Sequence, residues 1–432
     1  MRRDYYAFRN SELSKSLNDF EKAYDNLEKA KKEKDKKARK QAKQEMNNAA
    51  KQATSIEPHL AYLWYWAQRE EAERQKQQEK SRRFSELANA IRDAWKKHLA
   101  VVDAHPAPQA HFDFRKLPDT FRFVPKPGSD SVARLPRLSF LLYIPFRLQK
   151  PYLSEDERDF YLIDNPLRRE KVFQTPMVAS TSWKGALRSA MIQKLAADLH
   201  SGRKNESDFL EERLRLYRLF GNEKDGVSEF LNRALTLHRV GPPPTEKQQR
   251  EEWEKRYEQI YKQVAHEFEE KVRAKGYRKE NVEGFQGCLY FFPTFFDNIG
   301  LEVINPHDRK TGVGARGPIL VECVPQETKG ELVLLYVPFS PSEQKEDERR
   351  AQVAKDLEAV AEGIRAMLTT YGFGAKTSSG YGVAKNELDR KGKLITHVPS
   401  ETSRVQKEFS TLSELCQVAR HVAGELQKGG EI

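Results

Sequence analysis

Leu13, Leu17, Phe20, Tyr24 and Leu27 recur at steps of four and three residues, an apolar stripe of helical period. From Lys31 to Lys43 the stripe thins to alanine, a stretch expected to bury little. Pro58 interrupts the pattern, which resumes with Leu60, Leu63, Trp64 and Ala67 and then with Phe84, Leu87, Ile91 and Trp95. Residues 1–103 are expected to form a charged helical hairpin or small bundle. Proline-rich punctuation follows at Pro106, Pro108, Pro118, Pro125 and Pro127-Gly128, so residues 104–134 read as a linker, poor as a helix or strand interior. Two further breaks lie at Gly241-Pro242-Pro243-Pro244 and at Pro338-Phe339-Ser340-Pro341. No internal repeat is present.

Between the breaks the periodicity alternates. Leu138 to Arg147 is rich in strand formers, and a helix is expected from Ser182, a plausible N-cap, to about His200, with Leu187, Met191, Leu195 and Leu199 four apart. Residues 205–283 read as a charged helical segment. Its second half, Glu246 to Lys275, is almost all charged except Trp253, Ile260, Tyr261, Val264 and Phe268, the pattern of an amphipathic insertion rather than of core. Strand signals return at 287–292, 301–304, 319–323 and 331–337. A helix from about Glu346 then carries Val353, Leu357, Val360, Ile364 and Leu368 on one face. This order predicts an α+β protein with a ferredoxin-like βαββαβ core, the fold also of the RNA recognition module (RRM). The core is split into residues 135–204 and 284–390 by the 205–283 insertion, and residues 391–432 are expected to be a C-terminal tail with a short helix.

Charge changes this picture chiefly by its location. The 432 residues hold 75 Lys+Arg and 64 Asp+Glu, a formal net charge of +11. Residues 1–100 hold 24 and 16 of these, a net of +8, which leaves +3 for all the rest. The first quarter is therefore either a solvated charged face or a docking arm for nucleic acid or a protein partner. No run of about eighteen apolar residues occurs, so no transmembrane helix and no membrane partner are expected. The start Met1-Arg2-Arg3-Asp4-Tyr5-Tyr6 has no apolar signal stretch, and a cytoplasmic location is expected. Cys288, Cys323 and Cys416 are scattered and make neither a disulfide framework nor a zinc cluster.

The most unusual stretch is Gly372-Phe373-Gly374-Ala375-Lys376-Thr377-Ser378-Ser379-Gly380-Tyr381-Gly382, with four glycines in eleven residues, a lysine and three hydroxyls. Glycine tolerates positive φ and lets phosphate oxygens reach backbone N–H groups, while lysine supplies charge. Its ordinary reading is a glycine-rich turn closing the last strand. It is not an ATP-binding P-loop: the glycine–lysine spacing is absent, and the segment follows a helix instead of joining a strand to one.

This loop resembles the signature glycine-rich loop of the RAMP superfamily, the repeat-associated proteins of CRISPR effector complexes. Two further segments agree in order and spacing. Met177 to Arg188 is similar to the family's small-hydroxyl-lysine-glycine-x-x-arginine helix start, with Trp183 where leucine is usual, and Leu162 to Glu170 resembles the loop in which type III backbone subunits carry an aspartate before a proline. The resemblance spans about residues 135–386. It implies a CRISPR RNA (crRNA)-binding backbone subunit of a type III interference complex, whose partners are crRNA, target RNA, other backbone subunits and the large polymerase-like subunit. Ser180, Ser182, Lys184 and Arg188 would hold guide phosphates at a helix N-terminus, and Gly374, Lys376, Thr377, Gly380 and Gly382 would shape the groove's second wall. Lys184 and Arg188 are otherwise ordinary solvated helix charges.

Asp164 corresponds to the aspartate that catalytic members need for divalent-metal-dependent (Mg2+ or Mn2+) cleavage of target RNA. It would help hold the metal or orient the attacking 2′-hydroxyl, with Arg168 and Arg169 stabilising the developing phosphorane charge. On local chemistry alone, Asp164-Asn165-Pro166 is an Asx-type turn. The segment Leu301 to Asp308 resembles terminal backbone subunits that cap the guide and often do not cut, and His307-Asp308 reads as a turn after a strand. Two alternatives to a cutting subunit therefore stand: a non-catalytic capping subunit, and a helical interaction adaptor whose core merely resembles the superfamily.

Overall fold

The structure, a computed structural model, describes residues 2–56, 58–100, 105–106, 124, 128, 132, 135–156, 165–171, 175–223, 225–277, 285–304, 319–338, 345–396 and 405–428. In chain order its helices and strands are α1 (Arg2–Lys32), α2 (Lys36–Ile56), α3 (Pro58–Arg74), α4 (Gln78–Ala100), β1 (His105–Pro106), β2 (Phe140–Arg147), β3 (Met177–Val178), α5 (Ser180–His200), α6 (Glu206–Phe220), α7 (Asp225–Val240) and α8 (Lys247–Ala274). Then come β4 (Leu289–Phe291), β5 (Thr294–Phe295), β6 (Asn298–Ile304), β7 (Ile319–Cys323), β8 (Lys329–Tyr336), α9 (Glu346–Ala366), β9 (Glu387–Thr396), β10 (Val405–Thr411) and α10 (Leu412–Gln427). They form two units. The first comprises Met1–Phe112, Pro151–Pro176 and Phe296–Thr328, the second Asp113–Lys150, Met177–Phe295 and Lys329–Ile432.

The first unit holds α1–α4. Leu13, Leu17, Phe20, Tyr24 and Leu27 are buried as the period predicts. Phe20 meets the buried Tyr65 edge to face at 5.9 Å, and Arg83 bridges to Asp25. Between Lys31 and Lys43 Ala42 alone is buried, as the thinned stripe predicts. The chain turns at Lys34, which has φ +56°. Asp35 accepts the backbone N–H groups of Lys37 and Ala38 to start α2, and Ala42, Ala50 and Ala53 are buried. Alanine has the best helix propensity and its short side chain lets helices approach closely, so α2 packs through a stripe that carries little hydropathy. The unit also contains an antiparallel three-stranded sheet in the order β1–β6–β7.

The second unit is built on a five-stranded antiparallel sheet in the order β10–β9–β2–β8–β4. Strand β2, with every residue but its last buried, is central and pairs with both β8 and β9. On one face Phe140 stacks on Tyr336 at 4.5 Å, and the Tyr336 hydroxyl donates to Asp356 of α9 at 2.8 Å. The other face gathers Leu141, Tyr143, Val333 and Ile395, covered by Val132 with Val124 and Leu135. The described residues at the end of the expected linker are thus part of the core.

One expectation fails here. Residues 391–432 are no tail: β9 begins at Glu387, lies beside β2 and pairs with β10, and α10 buries Leu412, Leu415, Ala419, Val422 and Leu426. Thr411 caps α10 by accepting the Glu414 N–H. Residues 205–283 hold α6, α7 and α8. Helices α6 and α7 bury Phe209, Leu214, Tyr217, Phe220, Leu231 and Leu235. Only α8, after the triple-proline break, keeps the thin apolar stripe of Val264, Phe268 and Val272.

The charges of this region are also committed inward. Fully buried Arg213 donates to Glu223 through Nε and Nη2 and to Asn232 through Nη1, and its guanidinium lies 3.7 Å from the Phe268 ring centroid. Arg218 donates to Asp356, itself fully buried. Burial opposes the charge of Arg218, but the Asp356 carboxylate beside it overrides this and holds the guanidinium pKa above its ordinary value.

Candidate nucleic-acid interface

Helix α5 opens in the second unit with Ala179 as its N-cap in extended backbone, making no side-chain cap. The backbone N–H groups of Ser182 and Trp183 donate to the Ala179 carbonyl, so Ser182 sits inside the first turn and is not the cap. Ser180, Ser182 and Lys184 lie along this turn, each half-buried. Trp183, between Ser182 and Lys184, is fully buried. Its indole N–H donates to Thr294 Oγ1 at 3.0 Å, and that hydroxyl donates onward to the Glu331 carbonyl at 2.6 Å.

The same indole fixes the glycine-rich loop. Helix α9 ends in one π-helical turn, Met367–Tyr371. The chain then closes on itself: the Phe373 N–H donates to the Gly382 carbonyl, and the Ala384 N–H donates to the Leu368 carbonyl at 2.7 Å. Gly372 and Gly382 have φ of +75° and +67°. A Cβ on Gly382 would overlap the Phe373 carbonyl oxygen, so only glycine fits this neck. Phe373 points inward, with its ring 4.5 Å from Trp183 and 5.7 Å from Phe146. The three rings tie the start of α5, the end of β2 and the loop into one body. Beyond the neck, Gly374, Lys376 and Gly380 are exposed and all at positive φ, with Thr377 half-buried in a single 3-10 turn, Thr377–Ser379. The loop meets the end of β2 where the Gln149 N–H donates to the Val383 carbonyl at 2.8 Å.

Ser180, Ser182 and Lys184 are therefore carried by one helical turn, and Gly374, Lys376, Thr377, Gly380 and Gly382 by a loop anchored to that turn. Arg188 behaves differently. It donates to the Phe220 carbonyl at 2.9 Å and lies over the Phe220 ring, and burial lowers its pKa against the pull of Glu223. It therefore pins the end of α6. Trp183, Phe373 and Thr294 were not singled out from sequence as site-forming residues. The signal was present in a tryptophan standing where leucine is usual and a phenylalanine between two glycines.

In the first unit, Asp164 lies outside the described residues, as do His307 and Asp308. The chain after Asp164 is held firmly. The Glu322 N–H donates to the Asn165 carbonyl, Leu167 N–H donates to Glu322 Oε2, and Arg169 donates to both carboxylate oxygens of fully buried Glu322 at 2.9–3.0 Å. Arg169 is thereby a structural ion-pair partner, whereas Arg168 is exposed. Among the described residues no three His, Cys, Asp or Glu side chains lie together as metal ligands, and Glu322, the carboxylate facing this segment, is neutralised by Arg169. Burial, with the negative charges of Glu302 and Glu322, pushes the adjacent Cys323 thiol up to about 12, so it is unreactive. Among the described residues no helix is long and apolar enough to cross a membrane.

Residues 159–385 match the model of the RAMP superfamily. No curated protein matches the chain. A cryo-electron-microscopy structure of the type III-B Cmr-beta bound to cognate target RNA aligns with it at 12% identity and a TM-score of 0.32, over 60% of this chain and 61% of that one. The crystal structure of Cmr6 from Pyrococcus furiosus aligns at 16% identity and a TM-score of 0.27, over 57% of this chain and 98% of that one. This chain thus spans less than two thirds of the first structure's length.

Proposed function

The chain belongs to the RAMP superfamily, and from that premise we propose that it is a crRNA-binding backbone subunit of a type III CRISPR interference ribonucleoprotein. The observation that carries this reading is the Trp183–Phe373 contact, which joins the lysine-bearing first turn of α5 to the lysine-bearing glycine loop. A helix N-terminus without a side-chain cap offers N–H groups and dipole to phosphate, and Lys184 and Lys376 supply charge from its two sides. The strand order β9–β2–β8–β4, with α5 following β2 and α9 following β8, supports reading the core as ferredoxin-like, with β10 added at the edge.

Guide binding is tested by Lys184→Ala combined with Lys376→Ala. Guide affinity should fall, and the slope of log affinity against log salt should shrink by about 1.4, two contacts at about 0.7 each for a single strand. An unchanged slope would remove the proposed groove.

Within the same proposal, Asp164 cuts target RNA at one site of the reconstituted complex. Asp164→Ala should abolish that cut alone, and intact cleavage at every site would reject the catalytic half. The second reading, a capping subunit that binds without cutting, is favoured by the locked Arg169–Glu322 pair, which withdraws one of the two candidate arginines from any reaction. Both readings share the same partners: crRNA, target RNA, neighbouring backbone subunits and the large polymerase-like subunit in a cytoplasmic complex.

A further inference from the structure

Helix α2 carries Lys36, Lys37, Arg39, Lys40, Lys43 and Lys51 against one acidic residue, Glu45. Its net of +5 is most of the +8 of the first hundred residues. All six cations are exposed, while Ala42, Ala50 and Ala53 turn into the bundle. At 100° per residue, Lys36, Lys40 and Lys43 fall in one row turned away from Ala42 and Ala53, with Lys37 beside it. The row runs about 10 Å, seven residues at 1.5 Å each.

Its neighbours use their charges otherwise. In α1, Lys29 pairs with Glu33 and Lys31 with Glu28, and in α4, Arg82 pairs with Glu86 and Arg83 with Asp25. Among the described residues the side chains of Lys36, Lys37, Lys40 and Lys43 make no ion pair. Four like charges within two turns repel one another by a few tenths of a kcal/mol per pair. A helix that needed only solubility would interleave acids, as α1 does.

We propose that this face of α2 is a second RNA-binding surface, separate from the α5–loop groove, that grips the phosphate backbone without reading sequence. Its composition selects the ligand. The exposed row and its flanks are Lys, Arg, Gln and Asn, and α2 contains no aromatic residue. A protein partner needs an apolar or aromatic centre, and lysine is depleted at such centres. Base readout in single strands needs rings to stack on. A rigid row of cations at helical spacing meets the one requirement of a polyphosphate, which is positive charge at repeated intervals.

The test uses the full chain with a fluorescent single-stranded RNA of about 30 nucleotides in two unrelated sequences, in the Lys184→Ala, Lys376→Ala background so that the core groove does not contribute. Adding Lys36→Gln, Lys37→Gln, Lys40→Gln and Lys43→Gln should reduce the salt slope by about 2.8 and weaken binding on the order of 10²-fold at 0.1 M salt, equally for both sequences. These side chains are exposed, so the thermal midpoint should not move. Should the fourfold variant misfold, Lys40→Gln with Lys43→Gln should give about half the slope change. An unmoved slope overturns the proposal. So does poly-glutamate competing as well as RNA at equal charge, since the face would then be a protein-docking site.

Discussion

Helix α2 of the arm and the interior of the five-stranded core use positive charge in opposite ways. In the core, Arg213, Arg218 and Arg188 are buried or half-buried and each is spoken for by a carboxylate, an amide or a carbonyl oxygen. In the arm, the lysines of α2 stand in solvent. Net charge weighs these groups equally, although an arginine locked to a buried carboxylate has nothing left for a ligand. The difference follows from side-chain chemistry. A planar guanidinium satisfies several acceptors at once and survives burial, whereas an ammonium is a hydrated point charge that keeps to the surface.

The sharpest way to break this contrast is inside the core. Asp356→Ala strands Arg218 and the Tyr336 hydroxyl in the interior and should cost about 3–5 kcal/mol in denaturant unfolding. Next, Trp183→Leu installs the usual family residue but forfeits ring contact with Phe146 and Phe373 and the bond to Thr294. It should cost about 2 kcal/mol and weaken guide binding by loosening the loop. Replacing the surface cations instead, the half-buried Lys184 with the exposed Lys376 by alanine or the four α2 lysines by glutamine, should cost under about 1 kcal/mol while RNA affinity falls. If stability and binding moved together in every variant, the division between structural and binding charge would be wrong.

The smallest effect is in acid. Burial alone would raise the Asp198 pKa, but Lys194 and Arg203 overcome it and hold the carboxyl below the ordinary range. A lowered folded value means the stabilisation is complete above the unfolded pKa of about 3.9 and fades as pH falls through the folded one. Wild type should therefore lose under about 1 kcal/mol more than Asp198→Asn between pH 5 and pH 2, measured by thermal melts.

The core strands and helices were legible where apolar residues repeat densely, as in β2, in α5 with Leu187 to Leu199, and in α9 with Val353 to Leu368. Strand β9 was not, because Glu387 to Lys391 is mostly charged and only the end of the strand, Leu394, Ile395 and Thr396, is buried in succession. At Gly392, where a Cβ would overlap the Phe409 ring, the strand looks like a break but is a seat for its neighbour. Alanine burial in α2 escaped for a related reason, since the contact depends on the absence of bulk. The site's lysines and glycines were visible as a motif. What fixes them, Trp183 on Phe373, was visible only as a departure from a pattern. The fates of Arg169 and Arg188 depended on acceptors 153 and 32 residues away, which no local spacing reports.

One face of the central sheet is closed by Val124, Val132 and Leu135 over Leu141, Tyr143, Val333 and Ile395. This is the kind of surface on which an RNA recognition module stacks bases on exposed aromatics. With it sealed, RNA held by α5 and the glycine loop would meet amides, hydroxyls and ammonium groups, which see phosphate and not letters. Under the proposed function, a groove blind to base order would hold any guide of the right length, whatever its sequence.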